Sequence, residues 1–170
     1  DLYTTLIFFE LMSFTSYVWV AQDERKESLR AAETYLAIAV IGGLSILMGL
    51  FLLYHQTGTL RIDELYQACQ GKNVLPACIC MLIGFGGQAG VFPLHIWLPK
   101  AHPAAPAPAS ALLSGILTKT GIFGILVISC KIFLHDAGWG TAMLVLGVLT
   151  MLVGAVLAVF SVDIKRTLAC

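Results

Sequence analysis

Two ionisable side chains sit inside apolar runs of this chain, and any chemistry it performs must begin with them. Glu10 lies in FFELM and Lys119 in ILTKTG. An ionised group at the centre of a bilayer costs at least ~2.5 kcal/mol even on permissive insertion scales, so each must be neutral, paired or facing a wet interior. For Glu10 the structural alternative is a neutral, hydrogen-bonded carboxyl at a helix interface, and the functional reading is a proton-binding site. Lys119 is too deep to carry its ammonium fully to either surface. It reads as a reversible proton carrier, the alternative being a structural ion pair. Thr118 and Thr120 flank it, and Ser114, five residues up-chain, is only a rough facial match.

Between these two residues runs GFGGQAGVFPLHIWLPKAHPAAPAPA. Gly84, Gly86, Gly87, Gly90 and Pro93 mark a broken helix that would free backbone amides and carbonyls in mid-membrane, as transporters do where they bind ions. Gln88 is the strongly polar side chain inside the break; it can donate and accept hydrogen bonds but cannot hold charge. His95 and His102 follow, and histidine titrates near neutral pH. They are candidate proton relays, with Ser114 and Thr118; the competing reading places both histidines at a membrane interface, where a polar group costs little. Seven residues across prolines is not a metal-ligand spacing.

Spans of apolar sequence must position these groups. Leu2–Val20 is nineteen residues with one charge, about 28 Å as a helix and so about one hydrocarbon thickness. Tyr17 and Trp19 near its end suit an interfacial aromatic belt. Ala21–Thr34 is strongly charged and predicts a solvated loop or a surface helix. Tyr35–Tyr54 carries no charge, and Gly42, Gly43 and Gly49 predict close helix packing. His55–Val74 predicts an extramembrane connection. Residues 75–92, 108–134 and 139–162 complete an all-α bundle of about five transmembrane helices, one of them discontinuous. Ala21–Thr34, Lys100 and Lys165-Arg166 carry six Lys/Arg against three on the opposite loops, which predicts a cytoplasmic side for residues 21–34 and for the C-terminal end.

Composition supports the membrane reading: 58% of the 170 residues are hydrophobic and only 12% charged, about half the soluble norm. Zero net charge argues against nucleic acid as a partner. Cys69, Cys78, Cys80, Cys130 and Cys170 are scattered, and no metal or redox cofactor site is visible in the chain. With no Met at its start and a polar end in DIKRTLAC, it reads as an internal piece of a longer protein.

PLHIWLPKAHPAAPAPASALLSGILTKTGIFGI, with FFELM upstream and DIKRTLAC downstream, resembles the antiporter-like subunits of the proton-conducting membrane family. That family comprises the large membrane subunits of respiratory NADH:quinone oxidoreductase, those of hydrogenase-4 and formate hydrogenlyase complexes, and the multisubunit Na+/H+ antiporters; the AHPAAP and SALLSGILTKTGIFGI phrasing resembles more closely the hydrogenase-type members. The resemblance implies about a third of an inverted-repeat antiporter-like fold. It also implies an inner-membrane location and proton or Na+ movement driven by electron transfer in partner subunits. No cofactor is implied in this chain; iron–sulfur clusters, flavin or nickel–iron would belong to the partners. Glu10 then matches the family's essential glutamate, Lys119 the lysine of the central polar axis, and Pro93 with its glycines the helix break. Gln88 stands where the family usually has a lysine that pairs with the glutamate. That pair, at ~4–6 Å and an effective dielectric of 20, is worth about 3–4 kcal/mol, which glutamine cannot supply. The resemblance leaves three readings: a translocating subunit of a redox complex, a secondary antiporter subunit, or a structural subunit with an impaired half-channel.

Overall fold

The computed structural model describes residues 1–169; Cys170 lies outside them. It contains helices and no strand among those residues. Five helical stretches are long and apolar enough to cross a membrane: Leu2–Ala21, Lys26–Thr57, Leu75–Ala104, Ala107–Lys131 and Ala137–Val159.

Helix α1 (Leu2–Ala21) starts where the Asp1 carboxylate accepts from the Thr4 amide at 2.7 Å, satisfying one of the orphan amides of the first turn. Its buried stripe is Leu2, Leu6, Phe9, Ser13, Ser16 and Val20, spaced as one helical face. After a four-residue turn, α2 (Lys26–Thr57) runs for 32 residues, about 48 Å. It is longer than a hydrocarbon core, so its charged first turns project beyond it. The charged stretch expected as a separate loop or surface helix is therefore mostly the start of the second spanning helix. Gly58, in a left-handed conformation (φ 75°), ends α2, and the short helix α3 (Leu65–Cys69) lies in the connection that follows. Burial pushes the Cys69 thiol up, against the opposing pull of Lys72, so it behaves as a packing group.

Helix α4 (Leu75–Ala89) is the middle of the bundle, packed on α2 along one side and on α7 (Thr118–Lys131) along the other. Glycine makes both contacts close. A Cβ on Gly84 would run into the Gly42 carbonyl and the Ile46 side chain; one on Gly121 would lie 2.6 Å from the Phe85 carbonyl. Without side chains the two backbones approach directly, as in small-residue packing of membrane helices.

The break is narrower than the glycine pattern predicts. Gly84, Gly86 and Gly87 are all helical. The helix ends only at Gly90 (φ 79°, ψ 30°), where the Gly90 amide donates to the Gly87 carbonyl and the Val91 amide to the Gly86 carbonyl. This is the paired closure of a left-handed glycine terminus. The Phe92–Pro93 peptide is cis, and a 3-10 turn (Leu94–Trp97) leads into α5 (Leu98–Ala104). The freed groups do not stay free: the Trp97 indole donates to the Gly87 carbonyl at 2.7 Å, and the Phe92 amide donates to Thr150 Oγ1 at 3.2 Å. In a bilayer an unpaired backbone group costs several kcal/mol, so these partners are what permits the break. They also leave the carbonyls of Gly86 and Gly87 already engaged, which removes the simplest version of an ion site built from freed backbone.

Helix α6 (Ala107–Leu112) passes through a π turn (Leu113–Leu117) into α7, and there the Thr118 amide donates to the Leu113 carbonyl. One extra residue in the turn rotates everything after it by about 100° relative to an unbroken α-helix. Helix α8 (Ala137–Val159), capped by the Asp136 carboxylate on the Trp139 amide, is the most apolar span and the least buried. The last helix, α9 (Ile164–Ala169), returns to the end that carries residues 21–34, where Lys165 Nζ donates to the Ala105 carbonyl at 3.1 Å.

The glycine packing sets an expectation. Gly84→Ala should destabilise the protein by ~1–3 kcal/mol through overpacking against α2. Gly140→Ala on α8, where a Cβ meets nothing within 4 Å, should be nearly neutral. Thermal unfolding of the two variants in lipid nanodiscs compares them; equal midpoints would count against the close α2–α4 contact.

Candidate functional site

The apolar interior divides into two clusters. One, toward the 55–74 connection, includes Leu6, Phe9, Ile46, Met81 and Phe85. The other, toward the charged-loop end, includes Val20, Tyr35, Trp97, Ala101 and Leu113. At their junction lie buried polar side chains: Ser13 at 1% exposure, Ser16 at 0% and Gln88 at 2%.

Glu10 sits beside this junction on α1. Its carboxyl is pressed against α2 at Gly43, where a Cβ would collide with Oε1 and lie 3.2 Å from Oε2. Gly43 is therefore the cradle that admits the carboxyl between the helices. Glu10 Oε1 is buried and has no hydrogen-bond partner among the described residues. A buried acceptor without a donor carries a desolvation cost of about 1–3 kcal/mol, so the site holds an acid whose ionised form lacks support from its surroundings.

Gln88, a possible hydrogen-bond partner for Glu10, makes no such bond among the described residues. Gln88 Nε2 donates instead to the Tyr35 hydroxyl at 3.3 Å. Tyr35, fully buried on α2, shares a 2.6 Å hydrogen bond with Ser16 Oγ, and Ser16 donates to the Ser13 carbonyl at 3.0 Å. Ser13 Oγ in turn donates to the Phe9 carbonyl at 2.9 Å. Glu10 and Ser13 are three residues apart on α1 and so are facial neighbours. Buried polar groups thus follow Glu10 along α1, at Ser13 and Ser16, and meet the Tyr35–Gln88 pair there.

Tyr35 and Ser16 escape sequence inspection because Tyr35 opens an uncharged run and looks like its interfacial edge. A usable signal existed: Tyr35, Ala39, Gly42 and Ile46 fall at helical spacing on one buried face, and Ser13 and Ser16 repeat the three-residue step from Glu10.

Lys119 is the midpoint of the fourth span. It lies on the outward face of α7, exposed in this chain like Ile116 and Phe123, while Thr118 is buried and Gly121 and Gly124 face α4. Among the described residues it makes no hydrogen bond or ion pair. Thr118 Oγ1 donates to the Ser114 carbonyl at 2.9 Å, and the Ser114 residue is itself exposed. His102 is 5% exposed, with Nδ1 at 2.7 Å from Ser110 Oγ. His95 is partly buried, its Nδ1 without a partner among the described residues, and its ring lies 5.8 Å from that of Phe92. The two histidines therefore flank the break in different surroundings. Among the described residues no group of three or more His, Cys, Asp or Glu could hold a metal ion.

At the charged-loop end, a cavity of about 520 Å³ opens between α2, α5 and α9; Arg25, Arg30, Lys100 and Arg166 are among its lining residues, with Ala31 and Thr34.

This arrangement, a bundle around a discontinuous helix with an acid in mid-span, defines an antiporter-like membrane protein. The whole of residues 1–170 matches the model for NADH:quinone oxidoreductase/Mrp antiporter transmembrane proteins, and the chain belongs to that family. It is 36% identical over 168 residues to hydrogenase-4 component B of Escherichia coli, covering 96% of this chain and 25% of that protein. It is 35% identical over 176 residues to one of the Na(+)/H(+) antiporter subunits of Alkalihalophilus pseudofirmus, covering 99% of this chain and 35% of that protein. Its fold superposes on a chain of the Mrp complex from Dietzia sp. DQ12-45-1b with a TM-score of 0.92 at 29% identity, over 99% of this chain and 33% of that one. The chain thus spans between a quarter and about a third of these relatives.

The Gly43 cradle can be tested chemically. Gly43→Ala should displace the Glu10 carboxyl from its slot and change its labelling by a hydrophobic carbodiimide severalfold, read by mass spectrometry of the intact membrane protein. Unaltered labelling would mean the carboxyl does not depend on that slot.

Proposed function

We propose that the chain is part of a proton- or cation-translocating subunit of a multisubunit membrane complex, of hydrogenase or NADH:quinone oxidoreductase type. Ion movement would be coupled there to electron transfer in partner subunits. The observation that carries this reading is the Glu10 carboxyl: a mid-span acid with an unpartnered buried oxygen beside buried, mutually bonded polar groups. A purely structural glutamate would be expected to have its oxygens satisfied.

The role of Lys119 rests on its depth and on its match to the family's lysine. On this reading its outward face meets the remainder of the subunit, since a lysine among apolar side chains at mid-span is not left to lipid. Residues 21–34, Lys100 and Lys165-Arg166 are assigned to the cytoplasm by their excess of positive charge. Their gathering around one cavity supports treating them as one side.

A second reading, membership of a secondary Na+/H+ antiporter, draws support from the 35% identity to the Alkalihalophilus pseudofirmus protein. A third, a structural subunit with an impaired half-channel, draws support from Gln88, a neutral residue bonded to Tyr35 rather than to Glu10.

Proton uptake by vesicles holding the whole complex separates the first and third. Glu10→Gln and Lys119→Ala should each lower uptake by about tenfold or more while assembly persists; wild-type uptake in both would establish the structural reading. Gln88→Lys should be tolerated and raise coupled uptake, because it restores a counter-charge near Glu10. Loss of assembly in that variant would show that position 88 is a packing site. Driving uptake by electron transfer or by a Na+ gradient distinguishes the first reading from the second.

A further inference from the structure

We infer that the cavity between α2, α5 and α9 binds the phosphate of an anionic phospholipid, whose chains lie along the outer surface of α8. This site is separate from Glu10, and its occupancy stands whether or not the translocation reading holds.

Three helices build the cavity. Arg25 and Arg30 come from the start of α2, Lys100 from α5 and Arg166 from α9. Lys165 Nζ, donating to the Ala105 carbonyl at 3.1 Å, ties α9 to the end of α5, so the cations converge through tertiary packing. Asp23, Glu27 and Asp163 line it too, which leaves an excess of one positive charge. These charges are not spent on one another: among the described residues the one ion pair joins Arg61 to Glu64, in the 55–74 connection. Guanidinium groups left unpaired offer bidentate donors to phosphate oxygens. Ser28 adds a neutral donor. It is 3% exposed and lines the cavity, and its hydroxyl makes no hydrogen bond among the described residues. Buried hydroxyls are normally bonded, and a phosphate oxygen in the cavity supplies the missing partner. The same turn of α2 has no side-chain cap, so the positive end of the helix also favours an anion there.

The surface beside the cavity marks the ligand as a lipid. Pro99 and Arg166 line both this cavity and a smaller one of about 140 Å³, whose walls include Leu157 and Phe160 at the end of α8. Helix α8 is the most apolar span and the least buried, and Val159 and Phe160 are 81% and 80% exposed. A charged cavity adjoining an apolar notch on a spanning helix fits an amphiphile, with its head in the first and a chain running through the second along α8. Free phosphate would use only the charged part. Basic pockets between spanning helices are where anionic headgroups bind. The excess of positive charge favours a headgroup of net negative charge over a zwitterionic one. At about 520 Å³ the cavity is within the size range of small-ligand clefts, ~300–1,000 Å³.

The test uses the whole complex in phosphatidylcholine vesicles doped with a photoreactive phosphatidylglycerol, with crosslinks mapped by peptide mass spectrometry. Label should fall on the start of α2, on α5 and on α9, and unlabelled phosphatidylglycerol should displace it severalfold better than phosphatidylethanolamine does. Arg30→Gln combined with Arg166→Gln should lower labelling about twentyfold, roughly fivefold for each positive charge removed. Lys72→Gln, on the opposite connection, should leave it at the native level. Equal displacement by the two lipids would overturn the inference, and that comparison needs no variant, so it decides even where the double variant fails to assemble. Native labelling in the double variant, or an equal loss in Lys72→Gln, would overturn it as well. Inorganic phosphate is the second arm: if millimolar phosphate displaces the label as well as the anionic lipid does, the site takes phosphate alone and the lipid assignment falls. Glu10→Gln should label as the native complex does, so failure here leaves the role of Glu10 untouched.

Discussion

The structure depends on keeping a polar layer satisfied between two apolar clusters in the middle of a membrane bundle. In hydrocarbon there is no water to complete a hydrogen bond, so each polar group at that depth must find a partner in the protein. Ser13, Ser16, Tyr35 and Gln88 do so with one another and with the α1 backbone. Glu10 Oε1 does not. Neutral, mutually bonded groups beside an acid with an unpartnered oxygen make an asymmetric arrangement, and the proposed function rests on that asymmetry.

Glycine makes the layer possible. Gly42 and Gly84 bring α2 and α4 into backbone contact, and Gly43 leaves the space that the Glu10 carboxyl occupies. The break in the central helix belongs to the same design. Its freed amide and carbonyl groups are recovered by Val91, Trp97 and Thr150, and those partners tie α4 to the segments on either side. The break forms a corner that sets Gln88 and Trp97 against Tyr35.

Much of this was legible in the sequence. Uncharged runs of about twenty residues announce spanning helices whatever their packing, and Glu10 and Lys119 stand out because ionisable groups at that depth are expensive. The glycine-rich stretch announced a break but not its position. Glycine permits a helix to continue as well as to end, and only the hydrogen bonds at Gly90 decide between them. The face on which Lys119 lies was hidden as well, since the π turn at Leu113–Leu117 shifts the register without a distinctive residue. Tyr35 and Trp97 were the main omissions. An aromatic residue at the edge of an apolar run usually reports the membrane interface, and nothing local says that these two meet across three helices.

The central claim is that Glu10 binds and releases the transported proton. Infrared difference spectroscopy of the intact complex in lipid, resting against energised, tests it most directly by comparing the native protein with Glu10→Gln. The account predicts a carboxyl protonation band in the native difference spectrum that is absent from the variant. Identical spectra from the two would contradict it.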